Sequence, residues 1–409
     1  MQGMTVSPHN SKGISTAPDP ASPVTISGKA RFFGELESLR GLAALSIALH
    51  HVSWKNPMLP SLYIHNSYLF VDLFFVLSGF VICHSYERKI TGPKSLGRFM
   101  FLRWGRLYPL HFLMLLVFVV LGAVQLFLER RYGFVPAEGR ALSNNDLPAF
   151  ITHIFLVQAF KFTPHLTFNQ PSWSIGVEFY TYLCFGLIVS RCRGISIVMG
   201  WLAAGSLALL VASGCPGLIM LQGVSFFRCL AGFSVGVLAY RAFCRFESDL
   251  ARCNQWLVIV FVLSMIWFFC VKTAPSSDYV VLIAFPMLIA LLAASPMGAM
   301  TRLLNIPMMR WLGRISYSVY MTHFALVIVL AQVLEVVIHH WHIWDGGFGR
   351  FSSESLVGLA FVFLYVAVLL LVSHFTYVKI EMPWQQRTRA LAQSWSRTPA
   401  PLRPISPHE

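Results

Sequence analysis

The chain has 409 residues, 56% of them hydrophobic and 12% charged, with a net charge of +14, which excludes a soluble domain of ordinary composition. Apolar runs of about 18 to 25 residues recur, each able to cross about 30 Å of hydrocarbon as a helix. The alternating ten-residue segments of a transmembrane barrel are missing, so the expected fold is all-α: a polytopic transmembrane helical bundle of about ten spans.

In chain order, residues 1–30 are rich in Pro, Ser and Thr and lack the apolar core of a signal peptide, so they read as a disordered cytoplasmic tail. Spans are expected at 36–54, 67–84, 99–128, 171–190, 195–213, 221–243, 255–271, 278–296, 312–338 and 355–380, with 148–160 as a shorter interfacial piece. A transmembrane domain thus covers 31–384, and a Pro- and Arg-containing cytoplasmic tail covers 385–409. With the N-terminus inside, 23 of the 31 lysines and arginines fall on the cytoplasmic side or at its interface, 7 fall outside, and Arg228 lies within a span. The positive-inside rule therefore places both termini in the cytoplasm. The basic balance reflects this topology and anionic membrane lipid, with no case for nucleic acid. The eight cysteines form no CxxC pair or His-spaced cluster, so no metal or redox site is expected, although Cys215 and Cys270 could both lie near the outer face.

Ionisable groups inside spans are expensive and mark function. In the first span Arg40 and His51 are eleven residues apart, about 1100° of rotation, so they share a face and are separated by about 16 Å along the axis. His50 points about 100° away, which favours His51 as the residue that works with Arg40; the bland reading has Arg40 snorkelling and both histidines interfacial. Asp72 enters the second span from outside and needs a partner, as a helix-pairing group or in a direct role. In "GRFMFLRWGRLYPLHFLML", Arg103 and Arg106 lie i, i+3 on one face behind Arg98. They suit a phosphorylated ligand or serve as a cytoplasmic anchor, and Pro109 predicts a kink just beyond them.

Ser174 and Glu178 of the fourth span share a face, and Glu178 lies at a depth similar to His51, so the two could form a general-base pair. Arg228 in "SFFRCLAGF" compensates Asp72 or Glu178, or binds an acyl donor. His323 near mid-membrane reads as an interhelical hydrogen-bonder, and His339, His340 and His342 read as surface histidines of an outer loop. Phosphate-friendly arginines thus gather on the cytoplasmic side, while His51, Asp72 and Glu178 gather in the outer half.

The segments "ESLRGLAALSIALHH", "FVDLFFVLSGFVI", "FLRWGRLYP", "SWSIGVEFYTYL", "GRISYSVYMTHF" and "KIEMP" resemble, in order, the motifs of the acyltransferase-3 family of membrane O-acyltransferases, which includes surface-glycan acetylases. The resemblance spans Glu37 to Pro383. It implies essential roles for Arg40 and His51, and it matches Asp72, Arg103, Arg106, Glu178 and His323 to family positions. Leu102 stands where a further arginine is usual, and Glu37 where an aspartate is usual. The implied donor is an acyl-CoA, usually acetyl-CoA, with no permanently bound cofactor, and the implied acceptor is a hydroxyl.

The resulting expectation is a bacterial inner-membrane enzyme. Arg103 and Arg106, with Arg40, hold the donor phosphates, and His51 assisted by Glu178 activates the acceptor, directly or through an acyl-histidine. Acceptors are a surface polysaccharide or its lipid-linked precursor, or alternatively a small hydroxylated metabolite or lipid. A transporter is the non-enzymatic alternative, but the paired discontinuous halves common in transporters do not occur.

Overall fold

The computed structural model describes residues 31–52, 61–132, 144–163, 165–192, 194–214, 216–218, 223–252, 255–341 and 356–395, and one compact unit runs from Phe33 onward. Every regular element among the described residues is helical. Much of this sequence is aromatic or β-branched, a poor helix former in water. In hydrocarbon each backbone N–H and C=O must find a partner within its own segment, and a helix provides that.

The elements are α1 (Gly34–His51), α2 (Ser61–Asn66), α3 (Phe70–Tyr86), α4 (Pro93–Tyr132), α5 (Leu147–Ile154), α6 (Trp173–Arg191), α7 (Ile195–Ala212) and α8 (Ser225–Ala251). They continue as α9 (Gln255–Val271), α10 (Val281–Ala294), α11 (Ala299–Leu304), α12 (Pro307–Arg314), α13 (Ser316–Trp341), α14 (Leu356–Thr376) and α15 (Met382–Ser394), the last two joined by a π turn, Tyr377–Glu381.

Seven helical segments among the described residues are long and apolar enough to cross a membrane, or eight if α12 and α13, bent by 66° at their junction, count as one span. That falls short of the expected ten for physical reasons. The 18-residue α1 carries Glu35, Glu37, Arg40 and two histidines, and α9 is apolar but only 17 residues long. Instead of stopping near 128 at one end, α4 runs for 40 residues and passes through Pro109 as a single helix. Residues 385–394, expected in a tail, belong to α15. Residues 1–30 and His342 lie outside the described residues, and Cys215 does too.

Small residues let the central helices touch backbone to backbone. A Cβ on Gly79 of α3 would stand 2.0 Å from the Phe233 carbonyl oxygen of α8, and one on Gly236 of α8 would stand 2.1 Å from that of Val76. Lipid offers no hydrophobic gain for joining two helices, so such close packing has to supply the attraction. The same device seats α1 on α12, where a Cβ on Gly41 would meet Gly313 N at 2.7 Å and one on Gly313 would meet the Glu37 carbonyl oxygen at 2.5 Å.

Replacing Gly313 by valine should therefore lower the thermal unfolding midpoint of the detergent-solubilised protein, by the equivalent of about 1–3 kcal/mol for overpacking a close seam. Gly200→Val, on α7 with open space around it, should leave the midpoint unchanged. Equal behaviour of the two variants would mean that the α1–α12 contact is not tight.

Candidate active site

The α1–α12 seam sets α1 beside the start of α13, and two side-chain pairs fix how they align. Arg40 Nε donates to Ser316 Oγ at 3.0 Å. Toward the other end of α1, His51 Nδ1 lies 3.3 Å from His323 Nε2, with ring centroids 4.9 Å apart. Both pairs run in ascending residue order, so α1 and α13 are parallel. His323 is fully buried and His51 half-buried.

The backbone assigns the protons of this imidazole pair. His323 Nδ1 lies 2.7 Å from the Tyr320 carbonyl oxygen, which can only accept, so Nδ1 carries the hydrogen and Nε2 the lone pair. His51 Nδ1 lies 3.0 Å from the Ile47 carbonyl oxygen and is likewise the protonated nitrogen, its hydrogen shared between that carbonyl and His323 Nε2. His51 Nε2 thus keeps its lone pair and is the base of the pair. The neighbouring His50 turns away, as its rotation on the helix requires, and its Nδ1 donates to the Ile64 carbonyl at 2.9 Å.

The arginines collect at the Arg40 end. Arg103 donates to the Tyr86 hydroxyl at 3.0 Å and stacks over the Tyr86 ring at 5.0 Å, while the Nε atoms of Arg98 and Arg103 are buried without a partner. Arg106 makes no hydrogen bond to another described residue; its strongest electrostatic partner is Glu381, followed by Tyr182, Glu37 and Glu178. Arg40 feels the repulsion of Arg106 and the attraction of Glu37 and Glu381. Glu381, on the π turn within "KIEMP", is buried and accepts from Ser318 Oγ at 2.9 Å and Gln385 Nε2 at 3.0 Å. Guanidinium N–H groups in excess of nearby carboxylates are suited to an anion.

Of the two carboxylates, Asp72 has the helix-pairing partner that was one of its expected roles, and Glu178 does not have the expected one. Asp72 is fully buried, and both its oxygens are taken by Arg228, at 2.9 Å from Nε and 2.6 Å from Nη2. Of the partners open to Arg228, Asp72 is the one it has, and this bidentate pair ties α3 to α8. Glu178 does not meet His51: its Oε1 accepts from Ser78 Oγ and, at 2.5 Å, from Tyr182 Oη. The partner of His51 is His323, a histidine that is hard to pair from sequence because it lies 272 residues away. Glu381 carried a signal that went unused, as a carboxylate at the end of the last apolar stretch. No group of three or more metal-ligating side chains forms among the described residues.

Outside the spans, in α5, burial and then the nearby His111 push the His153 imidazole down to about 3, so it stays neutral. Its Nε2 lies 3.1 Å from Thr167 Oγ1 and its carbonyl accepts from His111 Nε2 at 3.0 Å.

Long apolar helices around a buried imidazole pair, with unspent arginines at one end, define a multi-pass membrane protein with an internal polar site. Residues 33–378 match an acyltransferase domain, and the chain belongs to this acyltransferase-3 family. It is 44% identical over 81 residues to protein 2 in the picA locus of Rhizobium radiobacter, covering 20% of this chain and 40% of that one. With the acyltransferase MdmB of Streptomyces mycarofaciens it shares 29% over 185 residues, 43% of this chain and 44% of the relative. With the peptidoglycan O-acetyltransferase OatA of Listeria monocytogenes it shares 22% over 339 residues, 75% of this chain and 51% of the relative. The chain thus matches about half or less of the length of these relatives. No solved structure matches.

The ion pair separates scaffold from chemistry by mutation. Asp72→Ala should destabilise the fold by about 3–5 kcal/mol, because it strands a buried guanidinium, and Asp72→Asn combined with Arg228→Gln should restore much of the lost thermal stability. An Asp72→Ala protein that melts like wild type but transfers no acyl group would instead give Asp72 a direct catalytic role.

Proposed function

We propose that this chain is an acyl-CoA-dependent O-acyltransferase of the bacterial inner membrane. It moves an acyl group, acetyl by preference, from cytoplasmic acyl-CoA to a hydroxyl of a surface polysaccharide or its lipid-linked precursor. The observation that carries this reading is the alignment of α1 and α13, which present arginine donors at one end and an unprotonated His51 Nε2 toward the other. The excess of Lys and Arg on one side favours cytoplasmic termini, and with them an arginine end that faces the compartment where acyl-CoA is made. A relative named as a peptidoglycan O-acetyltransferase favours a glycan acceptor.

In this reading the half-buried guanidiniums of Arg103 and Arg106, with Arg40, hold the donor phosphates, and Glu381 offsets part of the repulsion between Arg106 and Arg40. His51 Nε2 takes the proton of the acceptor hydroxyl as that oxygen attacks the acyl carbonyl. The positive charge formed on His51 is stabilised because its Nδ1–H already points at the lone pair of His323, which the Tyr320 carbonyl orients. A positioned base of this kind contributes roughly 10²- to 10⁴-fold.

His51→Ala should therefore reduce transfer by about 10²- to 10⁴-fold with little change in the apparent KM for acyl-CoA, and Arg106→Ala should raise that KM. Mass spectrometry of surface glycans from a deletion strain should show an ester-linked acyl mass that returns with wild type and not with His51→Ala. An unchanged glycan in every strain would direct the search to small hydroxylated metabolites and lipids as acceptors.

A further inference from the structure

Glu178 is occupied, but by a group with chemistry of its own. Ser78 Oγ of α3 donates to Glu178 Oε1 of α6, Tyr182 Oη donates to the same oxygen at 2.5 Å, and the Ser78 and Tyr182 hydroxyls are 2.6 Å apart. A hydroxyl within hydrogen-bond reach of a carboxylate that a third group holds in place is the signature of an activated nucleophile.

Two further observations separate this cluster from interhelical glue. Ser78 and Glu178 both keep some accessible surface, although Leu77, Gly79, Val177 and Tyr182 around them are buried, so neither reacting group is sealed in the packing. The cluster also lies between the two ends of the site. On one side the Tyr182 ring is 6.2 Å from that of Phe99, over which Arg103 lies at 5.9 Å; on the other, Ser174, one turn before Glu178 on α6, bonds the Tyr320 hydroxyl at 2.7 Å, and the Tyr320 ring is 5.7 Å from the His323 ring. Along α3, Ser78 is eight residues from Tyr86, the partner of Arg103, or about 12 Å.

We propose that Ser78 is the nucleophile of a donor half-reaction and carries the acyl group as a seryl ester on its way from the arginine end to His51. This rests on the acyl-CoA reading. Ser78 Oγ bonds to the thioester carbonyl carbon while its proton passes to Glu178. The carbon–sulfur bond breaks with its electron pair on sulfur, and the thiolate takes the proton from Glu178 and leaves as free thiol. In the second half-reaction the acceptor oxygen, losing its proton to His51, bonds to the ester carbonyl carbon. The bond to Ser78 Oγ breaks with its electron pair on oxygen, which takes from His51 the proton that the acceptor gave up, so that serine and neutral imidazole are both restored. Tyr182 Oη, 2.6 Å from Ser78 Oγ, is a positioning residue for the serine and carboxylate.

The test mixes the purified full-length protein with acetyl-CoA labelled in the acyl group, without acceptor. Expected are a burst of free thiol approaching one per chain and an acid-stable label on the peptide that contains Ser78. Ser78→Ala should lose both, and His51→Ala should keep the label and fail to pass it on. Ser78→Cys, which retains the packing, should carry the label as a thioester released by neutral hydroxylamine. Transfer by Ser78→Ala at wild-type rates, label on another residue, or thiol release by wild type only when acceptor is present would overturn the proposal. No thiol release by wild type with or without a hydroxylated acceptor would overturn the acyl-CoA reading itself.

Discussion

The register between α1 and α13 is the constraint on which the rest of the site depends. It is set by a glycine seam that brings the backbone of α1 against α12, and by a sharp bend at Ile315 that turns the chain from α12 into α13. Because the seam leaves no room for a Cβ, α1 has little freedom to slide. Arg40 must then reach Ser316, and His51 must reach His323. One helix pair thereby connects an arginine-bearing end to an imidazole pair, and the interval between them is written in the helical rise.

Charge is handled differently in the two halves of the bundle. Asp72–Arg228 and Lys272–Asp278 are both buried, each a cation matched with an anion, at 2.6 Å and 2.7 Å respectively. Burial of such pairs brings little net stability, since the desolvation of two ions offsets their attraction. What they contribute is a specified partner: Asp72 joins α3 to α8, and Lys272, with Asn66 and Tyr68, joins the α9–α10 connection to the segment before α3. Around Arg98 and Arg103, by contrast, the buried Nε atoms remain without partners. A bundle that matches its buried charges elsewhere and leaves guanidinium N–H groups unspent in one place fits the proposed binding of an anionic donor there.

What could be read from the sequence was whatever depends on one helix at a time. Rotation on α1 selects His51 over His50 without any tertiary information, and the structure keeps that distinction, with His50 bound to Ile64 and His51 facing His323. Hydropathy marks α9 to the residue, at 255–271, because a uniformly apolar run has an unambiguous beginning and end. It gives a poorer account of α1, where the acidic first turn and the histidines dilute the signal although the helix is present. Pairings across helices were less legible. Glu178 and His51 share a depth, but depth says nothing about which way a helix faces, and α6 turns Glu178 toward α3. A histidine on α13 looked solitary because its partner lies on α1, at the opposite end of the chain.

The geometry also bears on why Glu178 and His51 are kept apart. A single base serving both donor and acceptor would have to release the thiol and accept the hydroxyl at one point, with both substrates present together. In the proposed two-step transfer, splitting the carboxylate from the imidazole would give each proton transfer its own partner. Glu178 sits with two hydroxyls on the arginine side, and His51 has its protonated nitrogen turned to His323 and its lone pair free. An ester on Ser78 would let the thiol depart before the acceptor arrives, so a bulky donor and a bulky acceptor on opposite sides of a membrane would never need to occupy the bundle at once. Within a rigid set of glycine-seamed helices, two stations joined by a small acyl group require less movement of the fold than one station that must admit both substrates.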